Sequence, residues 1–142
     1  MNLNQDNIFK ALIASLQANS VCDCNYSFLN NFSKTEWQSL YQLSARQGVL
    51  AIVWSAIGKL ANEGKLTPEQ MPDKALKLQW ALSAEKIKNR YNKQRQLAEK
   101  LADAFAEEGI DTYVLKGLAI SGYYPIPEYR ECGDLDCYSS YP

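Results

Sequence analysis

Residues 73–108 form the longest periodic stretch of the sequence and restrict the possible folds more than any other segment. Apolar side chains recur there at intervals of three, four or seven residues: Leu76, Trp80, Ala84, Ile87, Tyr91, Ala98, Leu101 and Phe105. This spacing predicts one long amphipathic helix, in which Gln94 is the one polar residue that interrupts the apolar stripe. Gly109 follows the stretch and is suited to end the helix, because glycine accepts the left-handed conformation of a C-terminal cap.

Three further helices are predicted before that stretch, from the same kind of apolar spacing. They cover residues 5–18, 33–47 and 49–61. Asp6 could cap the first helix, and Ser33 or Thr35 could cap the second, since these side chains accept hydrogen bonds from free backbone N–H groups. Gly48 separates the second helix from the third.

After Gly109 the pattern changes to short extended segments. Strands are predicted over residues 111–117 and 133–140, with a helix of about two turns over residues 118–124 and a proline-containing loop between them. The sequence therefore predicts an α+β fold. We expect an N-terminal helical bundle over residues 1–109, followed over residues 110–142 by the first strand, helix and strand of a second, partial domain.

Composition excludes several classes of function. The 142 residues carry a formal net charge of −1 and include no histidine. Catalysis by Ser-His-Asp or Cys-His groups is therefore excluded within this sequence, since both need an imidazole. No segment has the length of a membrane span or the layout of a signal peptide, so we predict a cytoplasmic protein without a membrane partner.

Cysteines and basic residues have ordinary interpretations. The four cysteines, Cys22, Cys24, Cys132 and Cys137, form no Cys-x-x-Cys pair and are interpreted as reduced thiols rather than zinc ligands. Residues 85–100 are rich in lysine and arginine, which is compatible with a phosphate-binding or nucleic-acid-binding face. We favour a solvated helix surface because the charges are distributed around the helix, and nucleic acid is not an expected partner.

Two aspartates near the C-terminus are the main candidates for chemistry. In the predicted second strand, Asp134, Asp136 and Tyr138 alternate with apolar residues, so the two carboxylates share one face. Carboxylates this close repel each other, and a cation between them offsets that repulsion. Mg²⁺ suits such a pair because it binds carboxylate oxygens and leaves positions free for phosphate. An exposed Asp-x-Asp is also common without any function.

Residues upstream of the aspartates could bind phosphate. Gly117 allows a close approach of the backbone, and the ammonium of Lys116 could neutralise charge on a phosphate. Arg130 could bind a phosphate or hold one of the carboxylates. Each residue also has a structural interpretation, since Lys-Gly is typical of turns and an arginine near two aspartates often forms a surface ion pair.

The order of these motifs resembles the nucleotidyltransferase superfamily that includes DNA polymerase beta. It is more closely similar to a bacterial family described as uncharacterised nucleotidyltransferases. The similar segments are "VLKG" (114–117), "YYPIPEYR" (123–130) and "GDLDCY" (133–138). The resemblance implies that Asp134 and Asp136 are catalytic metal ligands for Mg²⁺, and that Lys116 and Gly117 lie beside the nucleotide phosphates. Arg130 matches the basic position of the family.

The resemblance also implies a reaction, which is metal-dependent nucleotidyl transfer from a nucleoside triphosphate to an acceptor hydroxyl that the sequence does not identify. Three features depart from the relatives: Lys-Gly replaces Gly-Ser after the first strand, Gln47 replaces a histidine, and no third carboxylate follows Asp136 before Pro142. We therefore expect an N-terminal fragment or a shortened member. The alternative is a non-catalytic helical module for protein interaction, with both aspartates at its surface.

Overall fold

The structure is a computed structural model that describes residues 3–17 and 26–140. Its elements are α1 (Leu3–Gln17), α2 (Lys34–Arg46), α3 (Leu50–Asn62), α4 (Lys74–Glu107), β1 (Asp111–Leu115), α5 (Gly117–Ile120) and β2 (Asp136–Ser140). Short 3₁₀-helices cover Ser27–Asn31, Ser121–Tyr123 and Pro127–Tyr129. The predicted α+β class is confirmed. The predictions for Cys22 and Cys24 lie outside the described residues.

The chain divides into two compact units, one up to Ala84 and one from Glu85 onward. The first unit contains α1, α2, α3 and the beginning of α4. Its fully buried side chains include Leu29, Leu40, Val53, Ile57, Leu60 and Trp80. The predicted boundary near residue 109 remains a prediction about domains, and α4 contributes residues to both units.

Trp80 is the largest of the fully buried side chains in the described part of the first unit. Its indole N–H donates a hydrogen bond of 3.0 Å to the carbonyl oxygen of Leu50, so its polar atom is satisfied inside the core. Its ring stacks against Trp54 and meets Tyr41 edge-on, with centroid distances of 5.7 and 5.3 Å. The predicted apolar stripe of α4 is therefore buried at this point by α2 and α3.

The beginnings of α2 and α4 carry side-chain caps. The Ser33 hydroxyl accepts a hydrogen bond from the Glu36 N–H, and the Glu36 carboxylate accepts one from the Ser33 N–H. At α4, the Asp73 carboxylate accepts a 2.8 Å hydrogen bond from the Leu76 N–H. The prediction that Asp6 caps α1 was wrong, because the helix begins at Leu3 and Asp6 lies in its first turn.

The end of α4 follows from Gly109, as predicted. Gly109 has a φ of 72°, the left-handed region that glycine adopts without a steric penalty. The turn lets the Ile110 N–H donate to the Phe105 carbonyl at 2.9 Å and the Gly109 N–H donate to the Ala106 carbonyl at 3.0 Å. These two bonds define a Schellman motif, which satisfies carbonyl groups that the helix leaves free.

The second unit contains the rest of α4 and a two-stranded antiparallel sheet. Leu115 pairs with Asp136 at one end of the sheet, and Asp111 pairs with Ser140 at the other. The prediction that Asp134 lies within the second strand was wrong. Lys116, which follows Leu115, has a φ of 52° and leaves the extended conformation, so no partner strand remains for residues before Asp136.

The helix between the two strands is also shorter than predicted. α5 has four residues rather than about two turns, and the chain then continues as the 3₁₀-helix Ser121–Tyr123. A helix this short has only a small dipole, so α5 is a weak anion site. Within the described ranges, none of the helices combines the length and the hydrophobicity that a membrane span needs.

Candidate active site

Lys116 lies where β1 ends and the chain turns into α5. It is the one non-glycine residue of the described ranges with a positive φ, and its φ and ψ are 52° and −127°. A side chain in this region is strained, and such strain concentrates at functional sites. The turn leaves the Lys116 ammonium 3.4 Å from Oδ2 of Asp136, the first residue of β2.

Both side chains of the Lys116–Asp136 ion pair are accessible to solvent. The Lys116 side chain is 77% exposed and that of Asp136 is 45% exposed. An ion pair in this environment contributes at most about 1 kcal/mol to stability, because water competes for both charges. The pair can therefore separate at little cost when a ligand brings its own charges to either group.

Gly117 and Arg130 form the adjoining part of the site. A Cβ atom at Gly117 would lie 3.5 Å from Nη1 of Arg130 and 3.6 Å from Sγ of Cys132. The backbone at Gly117 therefore passes next to the guanidinium group. Two of the three residues that the sequence predicted to contact phosphate, Gly117 and Arg130, thus lie against each other.

Arg130 is held in place by its neighbours. Its Nη1 donates to the Cys132 sulfur at 3.3 Å, and its guanidinium lies over the Tyr124 ring at 5.6 Å from the centroid. Burial lowers the pKa of Arg130, but hydrogen bonds to the Cys132 and Tyr124 side chains raise it by more, so the guanidinium stays protonated. Its Nε is buried without a hydrogen-bond partner among the described residues.

Asp134 lies in the segment just before β2 and is exposed. Its carboxylate makes no hydrogen bond or ion pair to the part of the chain that the structure describes. The preceding residue is anchored, since Nε2 of Gln94 donates a 2.6 Å hydrogen bond to the Gly133 carbonyl. Gln94 thus fixes the backbone from which Asp134 projects.

The contact of Gln94 with Gly133 was not predicted from the sequence. The signal was present, because Gln94 is the polar interruption in the apolar stripe of α4. A polar residue at a core-facing position needs a partner. The periodicity could not name that partner, because Gly133 is 39 residues away in the sequence.

Two more contacts tie α4 to the segment between the strands. The Tyr91 hydroxyl and the Ser121 hydroxyl are 2.9 Å apart in a buried hydrogen bond. The Lys88 ammonium lies 3.2 Å from the Glu128 carboxylate, and this contact raises the pKa of Lys88. Both contacts hold the loop that carries Arg130 and were not predicted from the sequence.

The structure brings together four of the five predicted site residues. Lys116 contacts Asp136, and Gly117 contacts Arg130, around the single turn that ends β1. Asp134 joins them only through the chain, two residues before Asp136. No group of three or more Cys, Asp or Glu side chains suited to a metal ion occurs within the described ranges.

The basic stretch of α4 also has a more ordered arrangement than expected. Lys86, Arg90 and Lys93 line one open cavity of about 510 Å³, together with Asn89 and Gln94. These cations are spaced by four and three residues, so they share one face of the helix. Two other cations of this stretch form ion pairs instead, Lys88 with Glu128 and Arg95 with Glu99.

This α+β protein thus has a Lys-Gly turn beside an arginine and a carboxylate at one end of a small antiparallel sheet. Comparison with known families matches residues 33–140 to the family described as uncharacterised nucleotidyltransferase. The chain belongs to this family, which confirms the resemblance seen in its motifs and supports a general role in nucleotidyl transfer. Searches of curated proteins and of solved structures gave no significant match.

Proposed function

We propose that the chain binds a nucleoside triphosphate with a divalent cation at the turn between β1 and α5, for transfer of the nucleotidyl group to an acceptor hydroxyl. One observation carries this proposal: a lysine ammonium and an aspartate carboxylate meet at 3.4 Å at the end of the sheet, beside a glycine backbone lined by an arginine. Cationic and anionic groups side by side suit a ligand that consists of a polyphosphate and a metal ion.

The carboxylates fit Mg²⁺ in number and type. Mg²⁺ usually takes one or two protein carboxylates and completes its shell with water and substrate phosphates. Asp136 is half-exposed and already balances one positive charge, that of Lys116. Asp134 is exposed and has no competing partner among the described residues. Bound there, the ion would stabilise negative charge on the phosphates.

The side chains then have distinct tasks. Lys116 exchanges its contact with Asp136 for a phosphate oxygen, and Arg130 binds a second phosphate oxygen across the bare backbone of Gly117. The acceptor oxygen forms a bond to the α-phosphorus as the bond from this phosphorus to the bridging oxygen breaks. Pyrophosphate leaves with that electron pair, and the acceptor proton passes to a carboxylate or to water.

Nucleotide titrations by calorimetry test this proposal. Wild-type protein is titrated with each of the four ribonucleoside triphosphates, with Mg²⁺ and with EDTA. We expect binding that needs Mg²⁺ and that falls more than about tenfold in Asp136→Asn and in Asp134→Asn, since each loses a charged ligand oxygen. Asp103→Asn removes an exposed carboxylate near the C-terminal end of α4 and serves as the charge-matched control. Absence of Mg²⁺-dependent binding in the wild type would contradict the proposal.

The alternative, a helical interaction module, is supported by a separate observation. Leu78 and Leu82 lie one turn apart on α4 and are 61% and 56% exposed. Exposed leucines in such a row suit contact with another helix. This function predicts concentration-dependent association in analytical ultracentrifugation that the double variant Leu78→Gln/Leu82→Gln abolishes, and triphosphate binding equal in wild type and Asp136→Asn.

A further inference from the structure

The sheet of the second unit has one face that carries two exposed tyrosines. Tyr113 in β1 and Tyr138 in β2 are directly opposite each other in the ladder, with ring centroids 6.3 Å apart. They are 53% and 60% exposed. Large aromatic side chains usually bury much of their surface, so an exposed cross-strand pair is a surface suited to a ligand.

The same face carries the candidate active site. Side chains alternate along a strand, so Asp136 and Tyr138 project from the same side of β2, about 7 Å apart along the strand. Leu115, the ladder partner of Asp136, is on this side as well and is followed by Lys116. The opposite face is turned to the helices, since Val114 lines a cavity with Tyr91, Ala98 and Leu118. The tyrosines and the Lys116–Asp136 pair are therefore parts of one continuous surface.

We propose that Tyr113 and Tyr138 form a stacking platform for the base of the bound nucleotide. This inference rests on the proposed function and adds to it the part of the site that contacts the base. A ligand with its phosphates at Lys116 and its metal ion at Asp136 can extend along β2 towards the two rings. A nucleotide has this layout, since its ribose separates the charged phosphates from a flat aromatic base.

Stacking is favourable for any base, because every base presents a flat π surface to an aromatic ring. The tyrosine rings supply that contact without base-specific hydrogen bonds. We therefore expect the platform to accept all four bases and to bind purines more tightly than pyrimidines, because a purine covers more ring area. The phosphates, by contrast, contact Lys116, Gly117 and Arg130 and do not reach the tyrosines.

Calorimetry with two probes separates the base from the phosphates. Wild-type protein, Tyr138→Thr and Tyr113→Thr are each titrated with ATP and with tripolyphosphate, both in the presence of Mg²⁺. Threonine removes the ring but keeps a strand-forming side chain, and far-UV circular dichroism checks that each variant is folded. We expect at least a fivefold loss of ATP affinity in each variant and unchanged affinity for tripolyphosphate.

Two further variants serve as controls. Tyr138→Phe keeps the ring, so ATP affinity stays within about twofold of wild type. Cys137→Thr places the same residue on the opposite face of β2 and leaves both affinities unchanged. If Tyr138→Thr weakens the binding of ATP and of tripolyphosphate equally, or weakens neither, the stacking platform is wrong and the proposed phosphate site is retained. If wild-type protein binds neither probe, the platform and the proposed function both fail. A wild-type dimer that Tyr138→Thr converts to monomer would place a second copy on this face and also overturn the inference.

Discussion

The two compact units of the chain are stabilised in different ways. The first unit, up to Ala84, buries a set of large apolar side chains, including three leucines and Trp80 with no more than 1% of their surface exposed. In the described part of the second unit, the buried side chains are Tyr91, Ala98, Ser121 and Cys132. The candidate active site lies in the second unit, where apolar burial is small.

Polar contacts replace burial around the site. Hydrogen bonds from Gln94 to Gly133 and between Tyr91 and Ser121, together with the Lys88–Glu128 pair, attach the loop and strand to α4. A hydrogen bond of this kind contributes about 1 kcal/mol, whereas a buried large side chain contributes about 1.5–3 kcal/mol. The exposed groups of the candidate site are therefore positioned by a few hydrogen bonds and ion pairs rather than by a large apolar core.

The largest effect on stability is expected in the first unit. Trp80→Ala removes a fully buried indole and its hydrogen bond to Leu50, so we expect the free energy of unfolding to fall by about 3–5 kcal/mol. All three tryptophans are in this unit, so fluorescence from Trp37 and Trp54 follows its denaturation by urea. The control Leu82→Ala, at an exposed position on the same helix, should cost less than about 0.5 kcal/mol. A loss below about 1 kcal/mol in Trp80→Ala would contradict the view that buried apolar side chains stabilise the first unit.

The second prediction concerns the strained backbone at Lys116. At an ordinary position glycine is less stable than alanine by roughly 0.5–1 kcal/mol. At a φ of 52° the order should reverse, with Lys116→Gly more stable than Lys116→Ala by about 1 kcal/mol, because only glycine avoids the steric penalty. Thermal unfolding followed by circular dichroism measures the difference.

Both Lys116 variants lack the ammonium group and should lose ATP affinity together, by about tenfold. If Lys116→Gly is more stable than Lys116→Ala but binds ATP more weakly than wild type, the strained backbone is retained because the lysine side chain is needed for binding. Equal stability of the two variants would show that Lys116 carries no strain.

A smaller effect is expected at Gln94. Gln94→Leu removes the 2.6 Å hydrogen bond to Gly133 but also removes Oε1, which is buried without a partner in the described ranges. These changes oppose each other, so stability should change by less than about 1 kcal/mol. Mg²⁺-dependent ATP binding should fall about fivefold, since the segment that carries Asp134 is released. The neighbouring exposed Gln96→Leu is the matched control, and equal binding by both variants would refute a positioning role for Gln94.

The smallest effect is the pH dependence of the Asp73 cap in the first unit. Its hydrogen bond from Lys34 lowers the pKa of Asp73 below the ordinary 3.8. A lowered pKa in the folded state means that this stabilisation is present above pH 3.8 and is lost as the pH falls further. Asp73→Asn keeps a capping side chain but not the charge. The stability difference between wild type and Asp73→Asn should therefore be small at pH 7 and disappear near pH 2, and a difference that grows on acidification would contradict the assignment.

Much of the fold follows from local sequence patterns. The spacing of apolar residues predicted α4 to within one residue at each end, and Ser33 and Gly109 predicted where helices begin and end. These features depend on neighbours in the chain, so they are readable without the fold. The four residues at the turn after β1 were named from the sequence because the order of their motifs resembles the family, and their roles in a site stay a prediction.

Other features depend on contacts between distant residues, which no local pattern specifies. The sequence allowed a strand from residue 133, but the turn at Lys116 ends the ladder and places the start of β2 at Asp136. The partner of Gln94, the contact of Lys116 with Asp136 and the pairing of Tyr113 with Tyr138 arise only when the strands pair and pack against α4. The alternation and periodicity of the sequence determine which side chains share a face of a strand or helix. The strand register and the turn at Lys116 decide which of these faces meet, because both depend on contacts between residues that are far apart in the sequence.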